Sequence, residues 1–376
     1  MSRPDGSFSL TRLCSASRDF LLDVVRDDGL FPYSTRPSNG VYVNDFDHPA
    51  AIRYSINSLL GLQAAALHGS NGDAAEVGGL VETFLSHHAD AIETPADLGL
   101  LLVLLAEGGL DSTRTKETLG RIHRLVDSDA LSALTMQDVS WMLWGACAAA
   151  RAGVDGASGT ASEIAEVVLT RFVDPESLFP RHSLSRYRRD VVSFGALTYF
   201  LRGMREFSSL TGDVRATRVF EQGVRSIIGI QGRLGEWPWL ISVRRRIPLD
   251  FYPVFAVHQD SMSMLFLLPA LESGLDIADA IDKSFAWVLG RNELATPMIY
   301  ANPFVASRSI ERAERLPRVR RYLRAFPRSL TGRADRPADG RGVRINPECR
   351  SYHLGWILYA WAGRSEVPSA AADAPA

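Results

Sequence analysis

Residues 97–127 read DLGLLLVLLAEGGLDSTRTKETLGRIHRLVD, and the architecture follows from how this run changes character halfway. The first part, 97–107, is apolar on every side. A helix of that kind must be buried on every side. Gly108 and Gly109 then supply the residue type that suits a helix C-cap. Beyond them, 112–127 sets Leu119, Ile122 and Val126 at three- and four-residue spacing among Arg114, Lys116, Glu117, Arg121 and Arg124. That is a helix with one wet face. A dry helix, a short glycine turn and a wet helix form one unit.

The same alternation runs through the chain in both directions. Dry segments are expected at 49–68, 97–107, 138–152, 190–210, 258–273 and 350–362. Wet ones are expected at 8–27, 73–90, 112–127, 160–173, 214–231 and 276–290. Val, Ile and Thr do not dominate the dry segments, and several exceed strand length, so helix is the reading. Pro269 should kink the fifth of them. Six dry helices inside six wet ones predict an all-α fold, an (α/α)6 toroid of six helical hairpins. Links from dry to wet are short turns such as HGSNGD, TGD and SGLD. Links from wet to dry are mostly long, at 28–46, 174–189, 232–255 and 291–347, and fall at one end of the toroid. Pro180, Pro238 and Pro297 mark related turns in three of them. The expected organisation is one toroid domain over 1–363, with a long Arg-rich loop at 291–347 and a disordered, low-complexity tail at 364–376.

Composition narrows the function. Hydrophobic content of 46% and charged content of 22% are ordinary for a globular protein. The net charge of −2 and the absence of a reader motif argue against a nucleic-acid partner. The longest apolar run, 98–106, is too short to span a membrane. No apolar segment of secretory type opens the chain, so a cytoplasmic location is expected. Cys14, Cys147 and Cys349 are dispersed, with no CxxC, so no metal and no cofactor is implied. Walker A, GxGxxG after a strand, GxSxG and HExxH patterns are all missing.

Chemistry concentrates where the dry helices begin. Asp97, Asp138 and Asp190 read as helix N-caps. Three other places are richer than capping requires: Asp45-Phe46-Asp47-His48, His258-Gln259-Asp260, and Glu348 to His353. Glu236 lies in a Gly-Glu-Trp-Pro-Trp turn, where flanking indoles can raise a carboxyl pKa toward general-acid use. Residues 306–344 hold twelve arginines and four acids. Arg181, Arg186, Arg188, Arg189 and Arg244 to Arg246 lie on neighbouring long loops. Such a rim would draw an anionic ligand, because guanidinium forks fit carboxylates and phosphates.

A toroid of this organisation resembles the six-hairpin glycosidase group of hydrolases, polysaccharide lyases and sugar epimerases, over residues 8 to 363. YPVFAVHQD at 252–260 and ECRSYHLGW at 348–356 are similar to an uncharacterised bacterial family associated with polysaccharide genes. A second resemblance is to terpenoid cyclases and prenyltransferases, through the single QxxxGxW match of Gln231, Gly235 and Trp237. The first resemblance implies a carbohydrate-active enzyme taking an acidic saccharide at the long-loop end. Glu236 and Asp260 would be the acid/base pair, with Asp47 as alternate. His258 and Tyr252 would shuttle protons. Trp237 and Trp239 would stack on sugar rings. His353 and Tyr352 would assist the proton shuttling, Arg350, Arg189 and Arg181 would hold the anion, and Asp45 would also bind the substrate. The alternatives are a terpenoid cyclase-like enzyme and a non-catalytic glycan-binding protein. A polar cavity with arginines favours sugar, and an aromatic one favours terpene.

Overall fold

The computed structural model describes residues 9–39, 41–68, 71–127, 130–185, 189–301, 304–314 and 317–368. Arg186 and Arg188 of the expected arginine rim, and the tail from 369, lie outside them.

Among the described residues the dry segments become α2 (Ala51–Leu67), α4 (Pro95–Glu107), α6 (Met136–Arg151), α8 (Phe194–Thr211), α10 (Met264–Glu272) and α13 (Ser351–Trp361). The wet ones become α1 (Leu10–Val24), α3 (Asn71–His88), α5 (Ser112–Asp127), α7 (Ala157–Val167), α9 (Val214–Ile228) and α11 (Ala278–Val288). Each inner helix packs on the next, α2 on α4, α4 on α6, α6 on α8 and α8 on α10. The turn His258–Met262 ahead of α10 packs on α13, and α13 returns to α2. The inner ring therefore closes. The two classes are buried as their periodicity requires. Every residue of α4 from Ala96 to Leu105 is buried, whereas α9 buries only Ala216, Val219, Phe220, Gly223, Val224 and Ile227. Each fully buried leucine adds on the order of 2 kcal/mol to the ring.

Closure needs a tight crossing. A Cβ on Gly61 would sit 2.1 Å from the Gly355 carbonyl oxygen, so α2 and α13 meet backbone to backbone. The expected aspartate caps give way to threonines three residues earlier, with Asp97 and Asp138 at the third helical position. Thr94 caps α4 with Asp97 folded onto it, and Thr135 with Asp138 forms a reciprocal capping box on α6. Asp190 corrects the expectation: α8 is capped by Ser193, and Asp190 instead pairs with Arg189 and Arg244.

The long links are more ordered than their composition suggests. Each lies between a wet helix and the next dry one, so all share the rim where the inner helices begin. Strands β1 (Ser34–Ser38) and β2 (Val41–Asp45) make a hairpin. β3 (Val191–Ser193), β4 (Leu240–Ser242) and β5 (Pro248–Asp250) form an antiparallel sheet in that order. β6 (Val254–Phe255) and β10 (Val343–Asn346) flank β9 (Ser309–Arg312), and β7 (Ile299–Ala301) pairs with β8 (Phe304–Ala306). The 291–347 segment is therefore no open loop, and it also contains α12 (Pro317–Thr331). Several of its arginines meet carboxylates within the fold. Arg324 meets Asp250 and Glu314, Arg328 meets Asp335, and Arg344 meets Glu311. The fifth dry segment is also not one regular helix: His258–Met262 winds as a wide π-type turn before α10, and Pro269 lies inside α10.

Candidate active site

At the rim, the ring encloses a cavity of about 260 Å³. Its wall is assembled from the first turns of the inner helices. From α2 come Arg53, Tyr54 and Asn57, on one helical face by their spacing. From α6 come Gln137 and Trp141, and from α8 Gly195 and Tyr199. Trp239 and Phe255 come from the strand-bearing link, His258 and Met262 from the π-type turn, Arg308 from the link before β9, and Tyr352 from α13. No aspartate or glutamate is among the lining residues.

On the π-type turn, as on any helical turn, residues two apart point to opposite sides and serve different purposes. Four residues in a row, His258, Gln259, Asp260 and Ser261, are buried. His258 lines the cavity, with its ring near-parallel to Trp239 at 5.8 Å between centroids and against Phe194 at 4.8 Å. Asp260 turns to α13, where its carboxylate oxygens lie 2.8 and 2.9 Å from His353 Nε2. The Asp260 carbonyl also accepts from Trp361 Nε1 at 2.6 Å. The Gln259 carbonyl accepts from Ser284 Oγ, which accepts in turn from Trp237 Nε1 at 2.8 Å. Helix and turn are thus fixed on both sides of the imidazole.

Burial sets the protonation states. It pushes His258 down to about 3, with nearby His353 adding to the effect, so the ring is neutral at pH 7. Its Nδ1 has no hydrogen-bond partner. Burial raises Tyr54, Tyr199 and Tyr352, leaving all three as O–H donors. The two lining arginines each hold a carboxylate. Arg53 pairs with Asp97, and Arg308 pairs with Glu348 at 2.7 Å while leaving its own Nε unpartnered. Glu348 also takes Arg36 and Arg350, and the Arg350 and Arg308 guanidinium groups hold it below the usual carboxylate range despite burial.

The residues expected from sequence divide accordingly. His258, Trp239 and Tyr352 line the cavity. Asp260, His353 and Arg350 stand behind it, Arg350 lying 3.6 Å over the Tyr33 ring. Trp237 is wholly buried and braces the turn, so it offers no face to a sugar. Glu236 is buried in its own turn, where its carboxylate accepts from Leu234 N at 2.7 Å; burial raises its pKa, but it does not line the cavity. Tyr252 donates to Glu293 and accepts from Ala338 N. Asp45 and Asp47 belong to the hairpin end, with Asp47 exposed. Arg181 pairs with Asp174, and Arg189 with Asp190. None of these last five lines the cavity. Sequence reading missed Arg53, Tyr54, Asn57, Trp141, Tyr199 and Arg308. An Arg-Tyr pair with Asn one turn on, inside a helix otherwise dry, was the available signal.

Two further concavities bear on the site. One of about 680 Å³ shares Gln137, Ser193 and Trp239 with the edge of the central cavity and extends to α12. Another of about 290 Å³ lies at the opposite end of the ring, with Glu107, Arg202 and Tyr359 in its wall. Among the described residues, no helix is long and apolar enough to cross a membrane, and no three His, Cys, Asp or Glu side chains group as a metal site.

No protein-family model and no curated protein matches the chain. Solved structures do. Cellobiose 2-epimerase from Bacillus thermoamylovorans is 11% identical with a TM-score of 0.64, over 94% of this chain and 98% of that one. An unsaturated glucuronyl hydrolase specific for heparin is 13% identical with a TM-score of 0.57, over 93% and 95%. An α-1,6-mannanase of a Salegentibacter species, solved with α-1,6-mannotetrose, is 11% identical with a TM-score of 0.57, over 94% and 98%. The chain therefore has the six-hairpin (α/α)6 toroid fold.

Proposed function

We propose that the chain is an enzyme that takes a saccharide, preferentially an acidic one, into the central cavity and moves a proton at a ring carbon, as an epimerase or lyase does. The observation that carries this reading is the cavity wall: one neutral imidazole, three tyrosine hydroxyls and two arginines, with no carboxylate. Hydrolysis through paired carboxylates needs two of them across the scissile bond, roughly 5–9.5 Å apart. Proton abstraction beside a carbonyl or carboxylate needs a base and donors for the charge that develops on oxygen. Neutral His258 accepts the carbon-bound proton and becomes imidazolium. The developing enolate oxygen takes hydrogen bonds from a tyrosine and from Arg53 or Arg308. Depressed as it is, the imidazole gains basicity as that negative charge forms beside it. Trp239 offers a half-buried indole face to the sugar. The sugar enzymes that share the toroid support the substrate class. Six aromatic side chains, Tyr54, Trp141, Tyr199, Trp239, Phe255 and Tyr352, also line the wall, as a terpene site would have, and the two guanidinium groups among them weigh toward the sugar. Three unpaired cysteines support a reducing, cytoplasmic setting.

One observation favours a second reading, a glycan-binding protein without catalysis: Asp97, Asp138, Asp190, Asp260 and Glu348 are all engaged in caps or ion pairs. Incubation with aldoses, uronates and their oligosaccharides in D2O separates the two by NMR. Deuterium entering a carbon-bound position, for an epimerase, or an unsaturated product with a new vinyl proton signal, for a lyase, is the expected result, and either is lost in His258→Phe. Binding without exchange supports the second reading. Cleavage that places solvent oxygen in the product, without carbon-bound deuterium, overturns the proton-transfer chemistry.

A further inference from the structure

α12 is turned the wrong way round for a surface helix. Val319, Tyr322, Leu323, Phe326 and Leu330 recur at three- and four-residue spacing and are 56%, 64%, 68%, 67% and 64% exposed. Arg324 and Arg328 face the body instead. Arg324 donates to Asp250 and Glu314, and Arg328 to Asp335 and the Leu249 carbonyl. Asp250 is fully buried and Asp335 nearly so, so the helix is held by its charged side and displays its apolar one. An apolar stripe of this size on a surface marks something that binds there.

The adjoining groove indicates what does. Its far wall is Tyr322, Leu323 and Phe326, and its near wall is Gln137, Ser193 and Trp239, which belong also to the central cavity. Adjoining the saccharide cavity through those three shared residues and mostly apolar along α12, the space matches a molecule with a polar end and an apolar one. We propose that the substrate carries an aliphatic aglycone and that the groove between Trp239 and α12 is its binding site. This rests on the saccharide reading above. A membrane-surface helix would keep its arginines free for anionic headgroups, and here Arg324 and Arg328 are spent on buried carboxylates, which leaves Arg320 as the exposed one among the described side chains of the helix. A second copy docked on the stripe would leave the 680 Å³ concavity behind it unfilled.

The test is calorimetric titration with methyl, butyl, hexyl and octyl glucosides and glucuronides below micelle-forming concentrations. The proteins are wild type and the double variant Leu323→Glu/Phe326→Glu, whose changes lie on exposed positions and should leave the unfolding midpoint unmoved. Wild-type affinity should rise by up to about fourfold per methylene. The variant should lose that rise and bind methyl glycosides as before. A flat wild-type series overturns the groove, and methyl glycosides that still bind leave the saccharide reading standing. A rise that the variant keeps also overturns it. Octanol binding as tightly as octyl glucoside removes the sugar from the site and sinks the saccharide reading as well. Binding to anionic phospholipid vesicles, or a dimer in sedimentation, that the variant abolishes assigns the stripe to another occupant and overturns the proposal.

Discussion

Burying His258 as a neutral ring makes the fold sensitive to acid, and the size of the effect can be worked out. The group sits near 6.5 in an unfolded chain and about 3 in the folded one. A base with a depressed folded pKa binds protons in the unfolded state first. Stability is therefore intact above 6.5 and falls as pH drops from 6.5 toward 3. Between pH 7.5 and 5 the loss through this one residue is about 2 kcal/mol, approaching about 1.4 kcal/mol per pH unit at the acid end. His258→Phe keeps a ring against Trp239 and Phe194 and removes the titration. Urea unfolding at pH 7.5, 6.5, 5.5 and 5 on both proteins reads the difference. The stability gap between variant and wild type should shift by about 2 kcal/mol in the variant's favour on going from pH 7.5 to 5. A gap that stays constant across that range refutes the neutral, water-excluded imidazole on which the proposed chemistry depends.

Gly61→Ala drives a methyl into the Gly355 carbonyl and should cost about 3 kcal/mol or prevent folding. Gly78→Ala on α3, which meets nothing within 4 Å, should stabilise by about 0.5–1 kcal/mol, and thermal unfolding compares the two. Asp260→Ala leaves His353 without its buried partner and should cost on the order of 3–5 kcal/mol in urea unfolding. Arg324→Ala removes the ion pair that ties α12 to fully buried Asp250, which keeps Arg312 and the Tyr252 N–H, so α12 should loosen by on the order of 1–3 kcal/mol, read as faster proteolysis within 317–331. Arg320→Ala, with a largely exposed side chain 3.9 Å from Glu314, should leave the cleavage rate unchanged.

The ring was legible because periodicity reports solvent. A helix such as 97–107 has no face that could meet water, and one such as 214–231 has only one that could not, so the nesting follows. The link lengths then fixed which end bears the long connections. The rim's secondary structure was less legible. Strands of two to five residues carry little pattern, and α12 was concealed by arginines that read as a solvated loop yet serve as internal tethers. The site was the least legible part. Sequence marks titratable residues but not their direction. Asp260 and His258 are two positions apart, so on a helical turn they point to opposite sides, one to α13 and the other to the cavity, and sequence alone does not say which. Glu236 and Trp237 drew notice for being acid beside indole, and both are spent holding their own turn. Arg53, Tyr54 and Asn57 drew none, since a few polar residues in a dry helix look like ordinary buried hydrogen bonders until the helix is seen to border a void.

The most direct test is a crystal structure grown or soaked with a uronate disaccharide. Sugar density lying against Trp239, within hydrogen-bonding reach of His258, Tyr54 and Arg308, is the expected result. Density confined to the opposite concavity around Glu107, Arg202 and Tyr359, or to the rim outside the ring, would contradict it.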